Sequence, residues 1–413
     1  MKKFALHWQI LIALIAAIAF GLFFPEYTRY VTWMGDIFLR GLKMIIIPLI
    51  LTSIISGVTN IGDAESLGRL GYKTILYYLS TSFLAILTGL VLVNIIQPGL
   101  GAELGFQEKV EGVEATSGSL WDIIIRIVPT NIFNAFATAD MLGIIFFAIL
   151  SGFFITRLPD IYKDQLISLA NAGFSLMMRI TSFIILFTPL GIFGIVAGVV
   201  AEQAGDSAAL IETSKRMGWY MLTVIGGLFI HGLITLPVLL IIFAKVNPYK
   251  HIKALSPALL TAFSTSSSSA TLPLTIQSVE ERAGISNKVS SFVLPMGATI
   301  NMDGTALYEC VAAMFIAQAY GIDLSATQQF VVVITALLAS IGAAGIPMAG
   351  LVMMTVILSA VGLPLEGIGL ILAVDRILDM FRTTVNVWSD SCGAAIIAIK
   401  EGEKLKYQLE ENR

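Results

Sequence analysis

The chain has 413 residues, of which 56% are hydrophobic and 13% charged, with a mean hydropathy of +0.86 and a formal net charge of −3. A soluble globular protein carries about 25% charged residues, so this composition excludes a soluble fold and reads as an all-α polytopic membrane protein in a lipid bilayer. Two cysteines, Cys310 and Cys392, and three scattered histidines, His7, His231 and His251, supply neither a disulfide framework nor a His/Cys metal site, and nothing suggests a nucleic-acid partner.

The N-terminus runs Met1-Lys2-Lys3-Phe4 and then apolar from about Ile10 to Phe24. A basic start before an apolar stretch has the look of a signal peptide, but no small-residue cleavage site follows. Gly21-Leu22-Phe23-Phe24-Pro25 reads as a helix end, so this is expected to be a retained first span. Further runs long enough to span fall at roughly 37–58, 72–97, 120–156, 166–201 and 217–245. The runs 120–156 and 166–201 are overlong, and Pro129 and Pro189 are the expected break points. The connector at about 98–118 is rich in Gly and Glu and is expected to be an external loop.

Positive residues orient the chain. With the N-terminus inside, Lys2, Lys3, Arg69, Lys73, Arg157, Lys163, Lys245, Lys250 and Lys253 fall on the cytoplasmic side. Only Arg29, Lys109, Lys215 and Arg216 fall opposite. Both termini are therefore expected in the cytoplasm, with the protein in the inner (plasma) membrane. The Glu- and Lys-rich tail after Lys400 is expected to be a frayed helix.

From about residue 252 the pattern changes. Ser264-Thr265-Ser266-Ser267-Ser268-Ser269-Ala270-Thr271-Leu272-Pro273 cannot be a plain lipid-facing helix, and neither can Ala339-Ser340-Ile341-Gly342-Ala343-Ala344-Gly345-Ile346-Pro347. Each tract has about half a span of apolar residues on either side, the pattern of a helical hairpin that turns back at mid-membrane. Irregular backbone survives at that depth only where protein buries it or it lines a cavity. Ser266 to Pro273 and Ser340 to Pro347 are equal in length, and a span with an Asn/Asp pair follows each: Asn301 and Asp303, then Asn386 and Asp390. Hairpin plus broken helix, twice, is the expected form of an inverted repeat with a site where the halves meet.

Charged groups concentrate in the last apolar segment, Asp379-Met380-Phe381-Arg382-Thr383-Thr384-Val385-Asn386-Val387-Trp388-Ser389-Asp390. A charge within a span costs roughly 2.5–3.5 kcal/mol on insertion scales, so such groups are expected to face a cavity and bind something. Positions 379, 382, 383, 386 and 390 fall on one helix face. Arg382 offers a planar fork for a carboxylate, and Asp379 a partner for an ammonium. By spacing alone the two could equally neutralise each other at i,i+3. Asn301 and Asp303 are too close in sequence to face one point from an unbroken helix, and Gly304 favours local unwinding there. Unwound carbonyls with Asp and Asn oxygens suit a hard cation such as Na+. A half-helix N-terminus at the first hairpin tip, with the hydroxyls of Ser267 and Ser268, suits an α-carboxylate. The ligand so described is an acidic amino acid. Glu309, within a span, is a candidate proton carrier or an interior hydrogen-bonding group. Tyr77-Tyr78-Leu79-Ser80-Thr81-Ser82 either lines a cation site or joins helices through hydrogen bonds.

Four motifs in order carry a resemblance along essentially the whole chain. They are Ser-Ser-Ser-Ser-Ala-Thr-Leu-Pro (266–273), Gly-Ala-Thr-Ile-Asn-Met-Asp-Gly-Thr-Ala-Leu-Tyr (297–308), Ser-Ile-Gly-Ala-Ala-Gly-Ile-Pro (340–347) and Asp-Met-Phe-Arg-Thr-Thr-Val-Asn-Val (379–387). The chain resembles the dicarboxylate/amino acid:cation symporters, the glutamate transporter family, in its prokaryotic branch. The resemblance implies eight transmembrane helices, two re-entrant hairpins at about 252–284 and 325–362, and a homotrimer. It also implies a scaffold of residues 1–70 and 120–203, and an elevator-type transport domain of residues 71–97 and 217–402. Substrate would be held by Arg382 on its side-chain carboxylate and Asp379 on its amino group. Asn386, Thr383, Thr305, Ser267, Ser268 and Gly350 would complete that site.

One sodium site would use Gly297, Asn301, Asn386 and Asp390. A second would use backbone oxygens around Thr299, Met302, Ser340 and Ile341, and a third Tyr78, Thr81, Ser82, Asn301 and Asp303. Glu309 matches the proton-carrying acid of some members. The extra Arg that others carry falls at Ser266 or Met380 here, and Arg376, one turn earlier, would stand in for it. The implied function is symport of aspartate or glutamate driven by Na+, with H+ as a second co-transported ion. The alternative is a proton-driven glutamate or C4-dicarboxylate symporter in which sodium is dispensable. The ammonium partner Asp379 speaks against a substrate without an amine. An enzyme, such as a serine hydrolase on the Ser tract, would need a base beside the nucleophile; His231 and His251 lie in no polar motif.

Overall fold

A computed structural model describes residues 6–62, 69–101, 125, 127–138, 140–202, 207–342 and 349–406. These residues are helical, with no strand among them. An apolar surround gives the backbone no solvent partner, and a helix satisfies its polar groups within one segment. The acidic connector, the tip of the second hairpin and the end of the tail, at 102–124, 343–348 and 407–413, lie outside the described residues.

Helix α1 (Leu6–Phe23) ends at the predicted Phe24-Pro25, and a 3-10 turn over Pro25–Tyr30 leads into α2 (Thr32–Gly62). Helix α3 (Arg69–Ile96) follows. The run 120–156 is broken twice. Pro129 stands in the turn ahead of α4 (Ile132–Thr138), as expected, but a second break at Asp140 precedes α5 (Met141–Ile155). Asp140 has φ −72° and ψ 89°, off the helical region, in keeping with an Asp preference for caps over helix interiors. The run 166–201 divides into α6 (Asp160–Ile185) and α7 (Thr188–Glu202), and Pro189 sits in the first turn of the second piece.

Helix α8 (Ser207–Ile230) passes into α9 (Leu236–Ala244) through a π-helical turn at His231–Thr235. Pro237 has no N–H and crowds the carbonyl four residues back, so the ladder widens just ahead of it. The widened turn carries His231 fully inside. Among the described residues, four stretches are long and apolar enough to cross a membrane: Thr32–Thr59, Leu70–Ile96, Asp160–Ile185 and Ile211–Ala244.

The first hairpin is α10 (Pro248–Thr265) and α11 (Ser268–Gln277), which pack on each other. Local chemistry makes the reversal. Ser266 takes a left-handed conformation (φ 51°), and Ser267 is extended and caps α11, its Oγ accepting from Ala270 N at 3.2 Å. Helices α12 (Asn287–Ile300) and α13 (Asp303–Ala319) follow, separated by a break at Asn301–Met302. The second hairpin pairs α14 (Ala326–Gly342) with α15 (Ala349–Ala360).

Helix α16 (Ile368–Lys400) closes the fold, and it corrects the expected symmetry. The span after the first hairpin is broken, whereas α16 runs unbroken through Asn386 and Asp390. No proline interrupts it, so its polar groups project from an intact stripe rather than from unwound backbone. The helix stops at Lys400, and residues 401–405 form no helix.

Packing divides the helices unequally. Helices α1, α2, α5, α6 and α7 pack chiefly on one another, while α3 and α8 to α16 form a second group around α13 and α16. Among the described residues the buried polar side chains of the first group are hydroxyls alone, such as Ser53, Ser56, Thr59, Thr181 and Thr188. The buried charged side chains, Asp303, Glu309, Asp375, Asp379, Arg382 and Asp390, all belong to the second.

Candidate functional site

The break between α12 and α13 is the geometric centre of the polar interior. Asn301 (φ −92°, ψ 86°) and Met302 (φ −112°, ψ 51°) leave the helical region. The carbonyls at the end of α12 thereby lose the donors that an unbroken helix would supply. Gly304 N donates instead to Asn386 Oδ1 at 2.7 Å, so α16 caps the start of α13. A side chain at Gly304 would meet the Arg382 carbonyl at 2.6 Å, so only glycine permits this approach.

Around the break lies a cluster of oxygen atoms. Asp303 accepts from Ser82 Oγ at 2.6 Å on one carboxylate oxygen. The other accepts from Ser389 Oγ at 2.6 Å and lies 3.0 Å from His231 Nε2. Asn301 donates through Nδ2 to Asp390 Oδ1 at 2.8 Å and to Ser389 Oγ at 3.0 Å, while its Oδ1 faces Thr81 Oγ1 at 3.4 Å. Tyr78 reaches α12 through Val293 O at 2.6 Å. A Cβ on Gly297 would run into the Asp390 carboxylate and stand 2.7 Å from the Tyr78 hydroxyl. Glycine is what lets those oxygens reach the α12 backbone.

Asp303 and Asp390 are both buried, and no Lys or Arg pairs with either among the described residues. A buried carboxylate without a counter-charge is costly, and a small cation among these oxygens would lower that cost.

About two turns back along α16 the balance differs. Arg382 is 1% exposed, and its Nη2 lies 2.8 Å from Asp379 Oδ1 and 3.1 Å from Asp375 Oδ1. The guanidinium stacks over Tyr308 at 3.8 Å. Its Nε and Nη1 have no hydrogen-bond partner among the described residues. A Cβ on Gly350 would come within 3.0 Å of Nη1, so the start of α15 abuts the open edge of the fork. A buried guanidinium with Nη1 open fits a carboxylate that also takes Nη2 from Asp379. The two readings of the Asp379–Arg382 spacing are thus both visible: the pair is made, yet half of the fork stays open.

Asn386 lies between the two ends. Its Nδ2 stands 3.2 Å from Thr305 Oγ1 and 3.3 Å from Met302 Sδ, while its Oδ1 holds Gly304. Thr383 is buried on the same stripe. Ser267 and Ser268 are buried at the tip of the first hairpin, where α11 packs on α16.

The residues expected for a second sodium site are less gathered. The Thr299 side chain is exposed and bonds back to Met296 O at 3.0 Å. The Met302 carbonyl accepts Ala306 N at 2.8 Å, and Ser340 Oγ donates to Leu337 O at 2.8 Å. No hydrogen bond joins these groups among the described residues, and the Ile341 side chain lies outside them. Glu309 is fully buried, and neither carboxylate oxygen has a hydrogen-bond partner among the described residues. Arg376 is peripheral, 32% exposed and 3.9 Å from Asp379 Oδ2.

Ser389 and His231 belong to this site by geometry but are given no binding role by the sequence, and Asp375, whose neighbour Arg376 reads as its packing and pairing partner in the sequence, belongs to it as well. Asp375 lies two turns before Arg382, and Ser389 one turn after Asn386, so helical spacing from the polar stripe signals both. Asp375 pairs with Arg382 rather than with its neighbour Arg376. His231 is a lone histidine in an apolar run, and only the π turn reveals its direction.

Residues 6–399 match the model of the Sodium:dicarboxylate symporter family. The chain is 37% identical to the proton/sodium-glutamate symport protein of Bacillus caldotenax, over 100% of this chain and 99% of that protein. It is 34% identical to the proton/glutamate-aspartate symporter of Escherichia coli (strain K12), over 96% and 93%. It is 36% identical to excitatory amino acid transporter 3 of Mus musculus, over 98% and 88%.

Proposed function

The chain belongs to the sodium:dicarboxylate symporter family, and we propose that it is a secondary active symporter of aspartate or glutamate driven by Na+ together with H+. It is a transporter and not an enzyme. The observation that carries the proposal is one helix face on which a half-open, buried Arg382 fork and a carboxylate-rich oxygen cluster are joined through Asn386.

Arg382 binds the substrate side-chain carboxylate through Nη1, left open among the described residues, and through Nη2 once Asp379 turns away from it. Asp379 takes the ammonium. Asn386, Thr383, Thr305 and the tips at Ser267, Ser268 and Gly350 hold the remaining polar groups. Binding exchanges partners: an Asp379 that turns to the ammonium releases Arg382 to the substrate carboxylate. Charge is conserved in that exchange, so no buried ion is left alone. Sodium occupies the cluster of Gly297, Asn301, Asp303, Asp390, Tyr78, Thr81 and Ser82 with Asn386. The backbone near Thr299, Met302, Ser340 and Ile341 provides a further ion position.

Because Asn386 caps α13 at Gly304, cation binding at Asn301 and Asp303 fixes the helix start against which substrate packs. Glu309, buried and without a hydrogen-bond partner among the described residues, carries the proton.

The assembly follows the family: a homotrimer in the plasma membrane with eight spans, two re-entrant hairpins and both termini cytoplasmic. Residues 1–70 and 120–203 form the scaffold. Residues 71–97 and 217–402 form the elevator-type transport domain. The confinement of buried charge to α3 and α8–α16 supports that division.

A second reading is favoured by Glu309 and by the naming of the Escherichia coli relative as a proton symporter: proton-driven transport in which sodium is dispensable. Uptake of labelled aspartate into proteoliposomes separates the two. An inward sodium gradient at equal pH should drive accumulation. Accumulation that needs only a pH gradient would favour the proton reading, and competition by succinate equal to that by aspartate would contradict the role given to Asp379.

A further inference from the structure

Ser389 has no role in the reading above, yet it bonds to two residues of the cation cluster and to Tyr77 beside it. Its hydroxyl donates to Asp303 Oδ2 at 2.6 Å and accepts from Asn301 Nδ2 at 3.0 Å, and its carbonyl accepts from the Tyr77 hydroxyl at 3.2 Å. The side chain is fully buried, and the next residue is Asp390.

The polarity of these bonds matters more than their number. A primary amide presents an acceptor on one side and two donors on the other. Only the acceptor side can ligate a cation. Asn301 spends its Nδ2 donors on Ser389 Oγ and Asp390 Oδ1, both on α16. Its oxygen must then face α3, where Thr81 Oγ1 lies at 3.4 Å. The same serine uses its single proton on Asp303 Oδ2, leaving Oδ1 beside Ser82 Oγ at 2.6 Å, again on α3. One hydroxyl, with His231 Nε2 at 3.0 Å from the same Asp303 oxygen, therefore helps turn the oxygens of two residues toward the same hydroxyl-bearing face of α3. With alanine at 389, Asp390 alone would hold the amide, and a turned amide would present N–H where a cation needs oxygen.

We propose that Ser389 is a positioning residue of the cation site, which sets sodium affinity by fixing the amide face of Asn301 and the carboxylate orientation of Asp303. The inference rests on the reading that Asn301, Asp303 and Asp390 hold co-transported sodium.

The test uses the full chain in lipid nanodiscs and three forms: wild type, Ser389→Ala and Ser389→Thr. Aspartate binding is titrated with sodium and with lithium, and thermal unfolding is followed without either ion. Loss of a buried hydrogen bond to a charged group predicts a sodium midpoint raised about tenfold or more in Ser389→Ala. Aspartate affinity at saturating sodium should return to the wild-type value, and the preference for sodium over lithium should shrink. Ser389→Thr keeps the hydroxyl and should restore the midpoint.

A Ser389→Ala midpoint equal to wild type, or a shift matched by an equal loss of stability in the ion-free protein and not rescued by threonine, would overturn the inference. Wild-type binding that ignores sodium would overturn the inference and the reading beneath it together.

Discussion

The two ends of the α16 stripe solve the problem of buried charge in opposite ways. At the Asp375–Arg382 end, two carboxylates meet a guanidinium that stacks on Tyr308, and the fork still has two unused donors. At the Asn386–Asp390 end, Asp303 and Asp390 meet hydroxyls, an amide and an imidazole, with no Lys or Arg. The first end is already ion-paired and can exchange partners with a ligand that brings both signs. The second end has no guanidinium or ammonium among the described residues and calls for a cation. A zwitterionic substrate with an extra carboxylate suits the first, and a bare monovalent ion suits the second. On the proposed assignment, the difference would let one helix face serve both without confusing them.

Substitutions that strike one end and spare the other test this contrast. The largest effect is expected from Arg382→Ala. Truncating one partner of a buried charge pair costs about 2–5 kcal/mol, so aspartate affinity should fall by roughly thirtyfold or more at every sodium concentration. Arg382→Lys keeps the charge but not the fork and should not restore it. Aspartate affinity left intact by Arg382→Ala would break the assignment of the substrate end.

Asp303→Asn removes charge without changing shape. It should raise the sodium midpoint of aspartate binding by about tenfold or more, the scale of a lost charged partner, while affinity at saturating sodium recovers. A fall in affinity that sodium cannot rescue would mean that the two ends are not separable.

Gly297→Ala tests the same end by crowding, since its methyl group would press on Asp390 and the Tyr78 hydroxyl. A several-fold weaker sodium response is expected from overpacking of this kind, on the order of 1–3 kcal/mol, read as the sodium dependence of thermal stability. The smallest effect on binding is expected from Glu309→Gln. Aspartate affinity should stay unchanged while uptake loses its acceleration by an inward proton gradient; uptake that still follows the gradient would remove Glu309 from proton transfer.

Much of the fold was legible in the sequence because membrane helices announce themselves by long apolar runs. Pro25 and Pro189 mark breaks by the same local sterics that a reader can apply without coordinates. The Ser266–Ser267 turn was legible as a tract unsuited to lipid. The stripe from Asp379 to Asp390 was legible because helical spacing alone puts its members on one face.

What was not legible depends on tertiary contact. The break at Asp140 has no proline to mark it. The continuity of α16 could not be read from a motif that resembles the broken one at Asn301. His231 gains its neighbour only through the π turn before Pro237, and Asp375 gains Arg382 across two helical turns rather than from the adjacent Arg376. Ser389 looked like one more small residue in an apolar helix, and its importance appears only when Asn301 and Asp303 arrive from another segment.

The central claim is that the ion end and the substrate end of one helix face act together through Asn386. Its most direct test is an isothermal titration of aspartate into the wild-type protein across a wide range of sodium at fixed pH. The account predicts that affinity climbs steeply with sodium until the cation end saturates and then levels off. An affinity that does not change over the whole sodium range would contradict it.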